Sequence, residues 1–304
     1  MSIPLYRISQ ISSVWNALAS DNRKYITRIY KERFFIMNWI NKQRKHLRLW
    51  VQVLFTALTN GYVIGFTEGK IYRGTSKKLC VPGLNCYSCP GAIGSCPIGS
   101  LQAVIGSKNY KFSFYVIGFL MIFGSLMGRF VCGWLCPFGL VQDLLHKIPF
   151  VKKIKKVPFD RYLRYLKYVI LVVFVIAMPL LLVGESGYGS PWFCKLICPS
   201  GTLLGGIPLV AKNPGLQRAI GFLFGWKVSI LVILLILSTM IYRPFCKYLC
   251  PLGAIYGIFN RFSLYHYEID AAKCTKCGLC AKKCDMGVKV YENPNSEGRV
   301  CCYE

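Results

Sequence analysis

Acidic residues are scarce in this chain of 304 residues: 12 Asp and Glu face 38 Lys and Arg, a formal charge of +26. Between residues 50 and 265 the acids are Glu68, Asp143, Asp160 and Glu185 alone. Histidine is scarcer still, and His46, His146 and His266 are too scattered for a convincing paired haem site. Glycine fingerprints of nucleotide and dinucleotide sites are absent, which leaves nicotinamide and nucleotide chemistry without support. The N-terminus lacks the basic, apolar, small order of a signal peptide. The positive charge alone would suggest a nucleic-acid binder or a disordered basic tail. A chain that is 54% apolar, with mean hydropathy +0.41, fits neither. It is also too long and oily for a small secreted disulfide scaffold. These exclusions leave an integral membrane protein with its basic residues in loops, and sixteen cysteines in such a chain point to metal.

Four uncharged runs stand out: Leu49–Thr67, Phe112–Gly128, Tyr168–Gly184, and Ala219–Tyr242, the last interrupted only by Lys227. A helix needs about 20 residues to cross a bilayer and about 17 suffice, so four transmembrane helices are expected. Basic residues crowd segments 1–48 and 142–167, which places both, and the C-terminus, on the cytoplasmic side of a multi-pass cell-membrane protein in contact with lipid. Segments 68–111 and 185–218 then face outward. Residues 22–46 read either as a basic helix on the membrane surface or as a cytosolic helix packed on the tail.

The tail carries Cys274-Thr-Lys-Cys277-Gly-Leu-Cys280-Ala-Lys-Lys-Cys284, the C-x2-C-x2-C-x3-C run of bacterial ferredoxins, with Gly278 at the sharp turn. Asp285 stands where a proline is usual, and no second run follows. One cluster is expected from Cys274, Cys277 and Cys280, closed by Cys284, Cys301 or Cys302; a structural zinc knuckle is the alternative. The expected fold is therefore all-α in the membrane, with a C-terminal ferredoxin-like α+β cytoplasmic extension. Its domains are an arm at 1–48, a membrane domain at 49–260 and the iron–sulfur tail at 261–304.

A repeat lies within the membrane part. Arg129-Phe-Val-Cys132-Gly-Trp-Leu-Cys136-Pro137-Phe-Gly139 and Arg243-Pro-Phe-Cys246-Lys-Tyr-Leu-Cys250-Pro251-Leu-Gly253 share R-x-x-C-x-x-L-C-P-Φ-G. Cysteines four apart share a helix face, and proline suits a restarting helix, so each copy offers two thiolates. Cys132, Cys136, Cys246 and Cys250 together suit one inner [4Fe–4S] cluster. Outward, Cys96-Pro97 matches Cys198-Pro199, with Cys194 four before Cys198 and Ala92 at the equivalent place in the first copy. Cys96, Cys194, Cys198 and one of Cys86 or Cys89 then suit an outer cluster. Disulfides such as Cys86–Cys89, or pairing within each half, remain open. Arg129 and Arg243 either raise the inner cluster's potential or anchor the chain by charge. Asp143 and His146 are the best-placed acceptors for a quinol proton, and an amphipathic surface helix explains them as well.

Cys-Gly-Trp-Leu-Cys-Pro and Cys-Lys-Tyr-Leu-Cys-Pro-Leu-Gly-Ala, followed by a ferredoxin run, resemble the membrane-bound ferredoxin-type proteins of the NapH and NosR kind. The resemblance implies four or more spans, and both motifs near the cytoplasm. It also implies electron transfer between the quinone pool, or a cytosolic donor, and a redox partner such as an extracytoplasmic flavoprotein or reductase, in the manner of a quinol dehydrogenase subunit. Three clusters in sequence across the bilayer would carry single electrons. An iron–sulfur redox sensor, or a non-catalytic zinc- or copper-binding membrane protein, stays open on the sequence alone.

Overall fold

The computed structural model describes residues 47–107, 114–149, 153–154, 157, 159–182, 189–265, 274–275 and 277–288. The basic arm up to residue 46, His266 and the pair Cys301 and Cys302 lie outside the described residues.

Four helices begin at the same Cys-Pro step: Pro97–Ile105, Pro137–His146, Pro199–Gly201 and Pro251–Phe259. In each, the cysteine is the N-cap with extended backbone, and proline holds the first helical position. The cause is local. Proline's fixed φ fits the first turn, and the N–H it lacks is one the helix would leave unpaired in any case. Short helices precede three of these steps: Phe130–Trp134, Trp192–Leu196 and Pro244–Tyr248. They carry Cys132, Cys194 and Cys246 one turn ahead of the capping cysteine. Before Cys96 the chain is instead an irregular, largely buried loop, pinned by a backbone bridge between Cys80 and Ser95. Ile98, Phe138, Phe193, Phe245, Leu252 and Tyr256 are almost wholly buried around the four motifs and form one core with their cysteines.

The expectation of four membrane-spanning helices with an α+β tail is not met. Among the described residues one helix, Phe222–Met240, is long and apolar enough to cross a membrane, with 19 residues and mean hydropathy 2.2. The other three runs give shorter apolar helices, Leu47–Thr59, Phe114–Met127 and Leu166–Leu181. A run without charge is not a helix of the same length. The first helix unwinds at Asn60 and Gly61, and Gly128, at φ +51°, ends the second. The third is distorted by a π segment, Leu171–Ala177, with Pro179 just beyond it. Among the described residues no strand is present. The tail contributes one short helix, Leu279–Lys283, entered through Gly278 at φ +73°.

Candidate metal centres

The two R-x-x-C copies meet face to face. Cys132, Cys136, Cys246 and Cys250 are all buried. Burial pushes the Cys132 thiol up to about 12; Arg129 opposes this, and Cys246 and Cys136 add to it. Cys250 is raised by burial and then by Cys246, Cys132 and Cys136, so the four thiols share one electrostatic neighbourhood. The arginines cross over. Arg129 donates from Nε and Nη2 to the Gly253 carbonyl at 3.1 and 2.9 Å, in the opposite copy. Arg243 donates from Nη1 to the Cys132 carbonyl at 2.7 Å and forks onto Asp143, with Nε at 2.6 Å from Oδ1 and Nη2 on Oδ2. Each copy's guanidinium thus holds the other copy's cysteine loop, and both side chains are nearly inaccessible to solvent. Asp143, expected as a proton acceptor, is buried in this ion pair. His146, one turn on, directs Nδ1 at the Ser238 carbonyl, 3.3 Å away, and burial lowers its pKa below the usual histidine value.

The outward cysteines gather in the same way. Burial pushes the Cys96 and Cys194 thiols up to about 12, and Cys86 adds to both, as does Cys198 at Cys96 and Cys96 at Cys194. A Cβ on Gly201 would sit 3.6 Å from the Cys86 sulfur and 3.8 Å from that of Cys198. Glycine therefore keeps the space between those two sulfurs clear. Cys89 turns away, its thiol 3.7 Å from Asn60 Oδ1. Between the two candidates for the fourth thiol, the geometry brings in Cys86. The described cysteines, Cys86 and Cys89 among them, are free. Lys77 is 5% exposed, and its buried ammonium has no hydrogen-bond partner. It lies over the Tyr87 ring at 4.9 Å, and the charges of Cys89 and Cys86 reach it. Lys227, the single charge in the Phe222–Met240 helix, acts on Cys86, Cys194 and Cys198.

The two sets are close neighbours. A Cβ on Gly83 would lie 3.1 Å from the Cys136 Cα and 2.9 Å from the Leu135 carbonyl, so only glycine admits this approach. Cys86 follows three residues later, which puts its Cα within about 15 Å of that of Cys136. Tyr256 lies between the sets. Its hydroxyl donates to the Pro82 carbonyl at 3.0 Å, and the thiols of Cys132, Cys96 and Cys136 all act on it.

In the tail, Cys274 is half-buried, Cys277 and Cys280 are exposed, and Cys284 is buried with Met286 and Val288 in the main core. The contact runs through Asp160, which accepts from Lys247 at 2.6 Å, from the Tyr248 hydroxyl, and from Arg164. Arg164 then donates to the carbonyls of Met286 and Gly287 at 2.9 and 3.3 Å. Burial would raise the Asp160 carboxyl, but hydrogen bonds from Lys247 and Tyr248 hold it below the usual range. Such bonds to a charge are each worth about 1.5–3 kcal/mol. Asp160→Asn is expected to lower the thermal midpoint at neutral pH. A lowered carboxyl stabilises the fold above its unfolded value and loses that contribution as pH falls through the folded one. The difference between wild type and variant should therefore begin to shrink as pH falls below about 4 and disappear only once the pH has passed the folded value; a gap that does not shrink with acid would contradict the assignment.

Sequence reasoning missed two further residues. Gln102 and Gln142 stand six residues after Cys96 and Cys136, in the shared pattern C-P-Φ-G-x-x-Q, and both are fully buried. Gln142 donates to the Cys246 sulfur at 3.2 Å, and Gln102 donates to that of Cys194 at 3.5 Å. The repeated spacing was the available signal. Lys77 carried no comparable signal, since nothing in its surroundings in sequence marks it as buried.

The residues suit an iron–sulfur cubane on three counts. Each set is all cysteine, the Gly201 cradle is clear of side chain, and the unpartnered Lys77 ammonium stands beside the outer set, where an anionic group would neutralise it. Among the described residues, no three Cys, His, Asp or Glu side chains stand close enough to hold a single metal ion. The family of 4Fe–4S binding domains matches residues 112–158, 169–217 and 223–265. These stretches are thus similar to 4Fe–4S binding domains. They contain three of the four Cys-Pro steps, while the Cys86–Cys96 loop and the tail run lie outside them. The chain is similar to an uncharacterised protein of Methanocaldococcus jannaschii, 29% identical over 61% of this chain and 70% of the relative. It is 30% identical to the regulatory protein NosR of Pseudomonas aeruginosa over 59% of this chain and 23% of NosR. It is 31% identical to the methylamine utilization ferredoxin-type protein MauN of Methylorubrum extorquens, over 63% and 55%. The chain thus spans about half of MauN and a quarter of NosR. No solved structure matches. The resemblance to ferredoxin-type iron–sulfur proteins, read from the Cys-x3-Cys-Pro motifs, holds.

Proposed function

We propose that the chain relays single electrons through three [4Fe–4S] clusters, between the quinone pool or a cytosolic donor and a redox partner protein. The observation that carries this reading is the assembly of two all-cysteine sets, one buried and one partly buried, each built from opposite halves of the chain around the same Cys-Pro helix start. Cys132, Cys136, Cys246 and Cys250 would hold one cluster; Cys86, Cys96, Cys194 and Cys198 would hold the second. Cys274, Cys277 and Cys280 would hold the third, closed by Cys284, Cys301 or Cys302. A cubane supplies one-electron chemistry with little reorganisation, and the protein sets its potential by burial, charge and hydrogen bonds to sulfur. Arg129 and Arg243 would act mainly by fixing the cysteine loops, with their charges favouring the reduced state. A quinol proton would pass to His146 and not to Asp143, whose carboxylate is forked onto Arg243.

Membrane association belongs to the same reading. The Phe222–Met240 helix leaves Phe222, Trp226, Val232, Ile233 and Ile236 exposed, an apolar face that lipid would cover. The test is iron and acid-labile sulfide per purified chain, with redox-titrated electron paramagnetic resonance. About twelve irons support three cubanes, and about four would reduce the reading to a single cluster. Zinc or copper in place of iron would overturn it.

A further inference from the structure

We infer that Gln102 and Gln142 are a matched pair of potential-setting residues, each placing one amide N–H on a cysteine sulfur of its own cluster. The inference rests on the cluster reading above. The two glutamines repeat one another bond for bond. Gln142 Oε1 accepts from the Phe245 backbone N–H at 3.2 Å, and Gln102 Oε1 accepts from that of Phe193 at 3.0 Å. Each Nε2 also reaches the carbonyl one turn back, Phe138 or Ile98, at 3.5 and 3.2 Å. The remaining contact of each Nε2 is the sulfur of the cysteine that follows that phenylalanine, Cys246 or Cys194.

The orientation of each amide is therefore fixed. A backbone N–H can only donate, so the phenylalanine nitrogen requires the amide oxygen on its side and turns the amide nitrogen toward sulfur. At the equivalent place after the other capping cysteines the chain has Leu204 and Tyr256, neither of which carries an amide. One sulfur in each set is thus singled out. A donor on a thiolate favours the more negative state, and taking up one electron from an external reductant makes the cluster more negative without making or breaking a covalent bond. Both amides then raise the potential of their site.

The experiment uses the full-length, iron-loaded protein and redox-titrated paramagnetic resonance on four variants: Gln142→Met, Gln142→Glu, Gln102→Met and Gln102→Glu. The two Gln142 variants should move one reduction wave to more negative potential, and the two Gln102 variants should move a different wave. Glutamate keeps an oxygen for the phenylalanine N–H but sets a second oxygen against sulfur. It should therefore shift the wave further than methionine does. A role limited to holding the phenylalanine backbone predicts the reverse, with glutamate restoring the wild-type midpoint, and that result would overturn the inference. So would unchanged midpoints in all variants. Should one pair of variants lose its cluster, the other pair still decides the matter at its own site. Absence of cubane signals from the unmodified protein would instead overturn the underlying cluster reading.

Discussion

Arg243→Met is expected to destabilise the fold by about 3–5 kcal/mol, as removal of one partner from a buried ion pair does. The side chain is fully buried, forks onto Asp143, and donates to the Cys132 carbonyl. Its loss strands a carboxylate in the core and frees a carbonyl in the loop that presents Cys132 and Cys136. The penalty is mostly that of the stranded charge. The double variant Arg243→Met with Asp143→Leu should accordingly recover a large part of the loss, since a buried pair replaced by apolar groups is often near neutral. Chemical unfolding of the detergent-solubilised protein, followed by far-UV circular dichroism, reads both values. A double variant no more stable than Arg243→Met alone would show that the carbonyl contacts, and not the ion pair, dominate.

Cys86→Ser is expected to remove about four irons per chain, while Cys89→Ser leaves the iron content unchanged. The two cysteines are three residues apart in a glycine-rich loop, and spacing cannot choose between them. The fold chooses through Gly201, whose bare Cα lies beside the sulfurs of Cys86 and Cys198, while the Cys89 thiol faces Asn60. Iron and sulfide assays on the two single variants decide the point. Equal loss in both, or loss in Cys89→Ser alone, would reverse the assignment.

Much of the site was legible because the Cys-Pro motif encodes its own geometry. A cysteine followed by proline has few backbone options, so the helix restart at Cys96, Cys136, Cys198 and Cys250 follows from two residues at a time. The meeting of the two halves followed from the repeat. The helices were read less well. Uncharged runs record where charge is excluded, and chain breaks such as Asn60-Gly61, Gly128 and the π segment near Pro179 decide how much of a run is helical. Gln102 and Gln142 went unread because a lone glutamine carries no signature of its own, and only the comparison of two C-P-Φ-G-x-x-Q copies gives it one. The burial of Lys77 and the Asp160 bridge to the tail depend on residues far apart in sequence, which no local pattern contains.

The close approach at Gly83 has an electrical consequence. With Cys136 under that glycine and Tyr256 touching the neighbourhoods of both cysteine sets, two clusters held there would lie within about half the thickness of a bilayer core of about 30 Å. Charges so near in a medium of low permittivity repel by about 1 kcal/mol or more. An electron on one centre would therefore make the next electron harder to add to the other. The pair would fill anticooperatively, the second electron entering at a lower potential than the first.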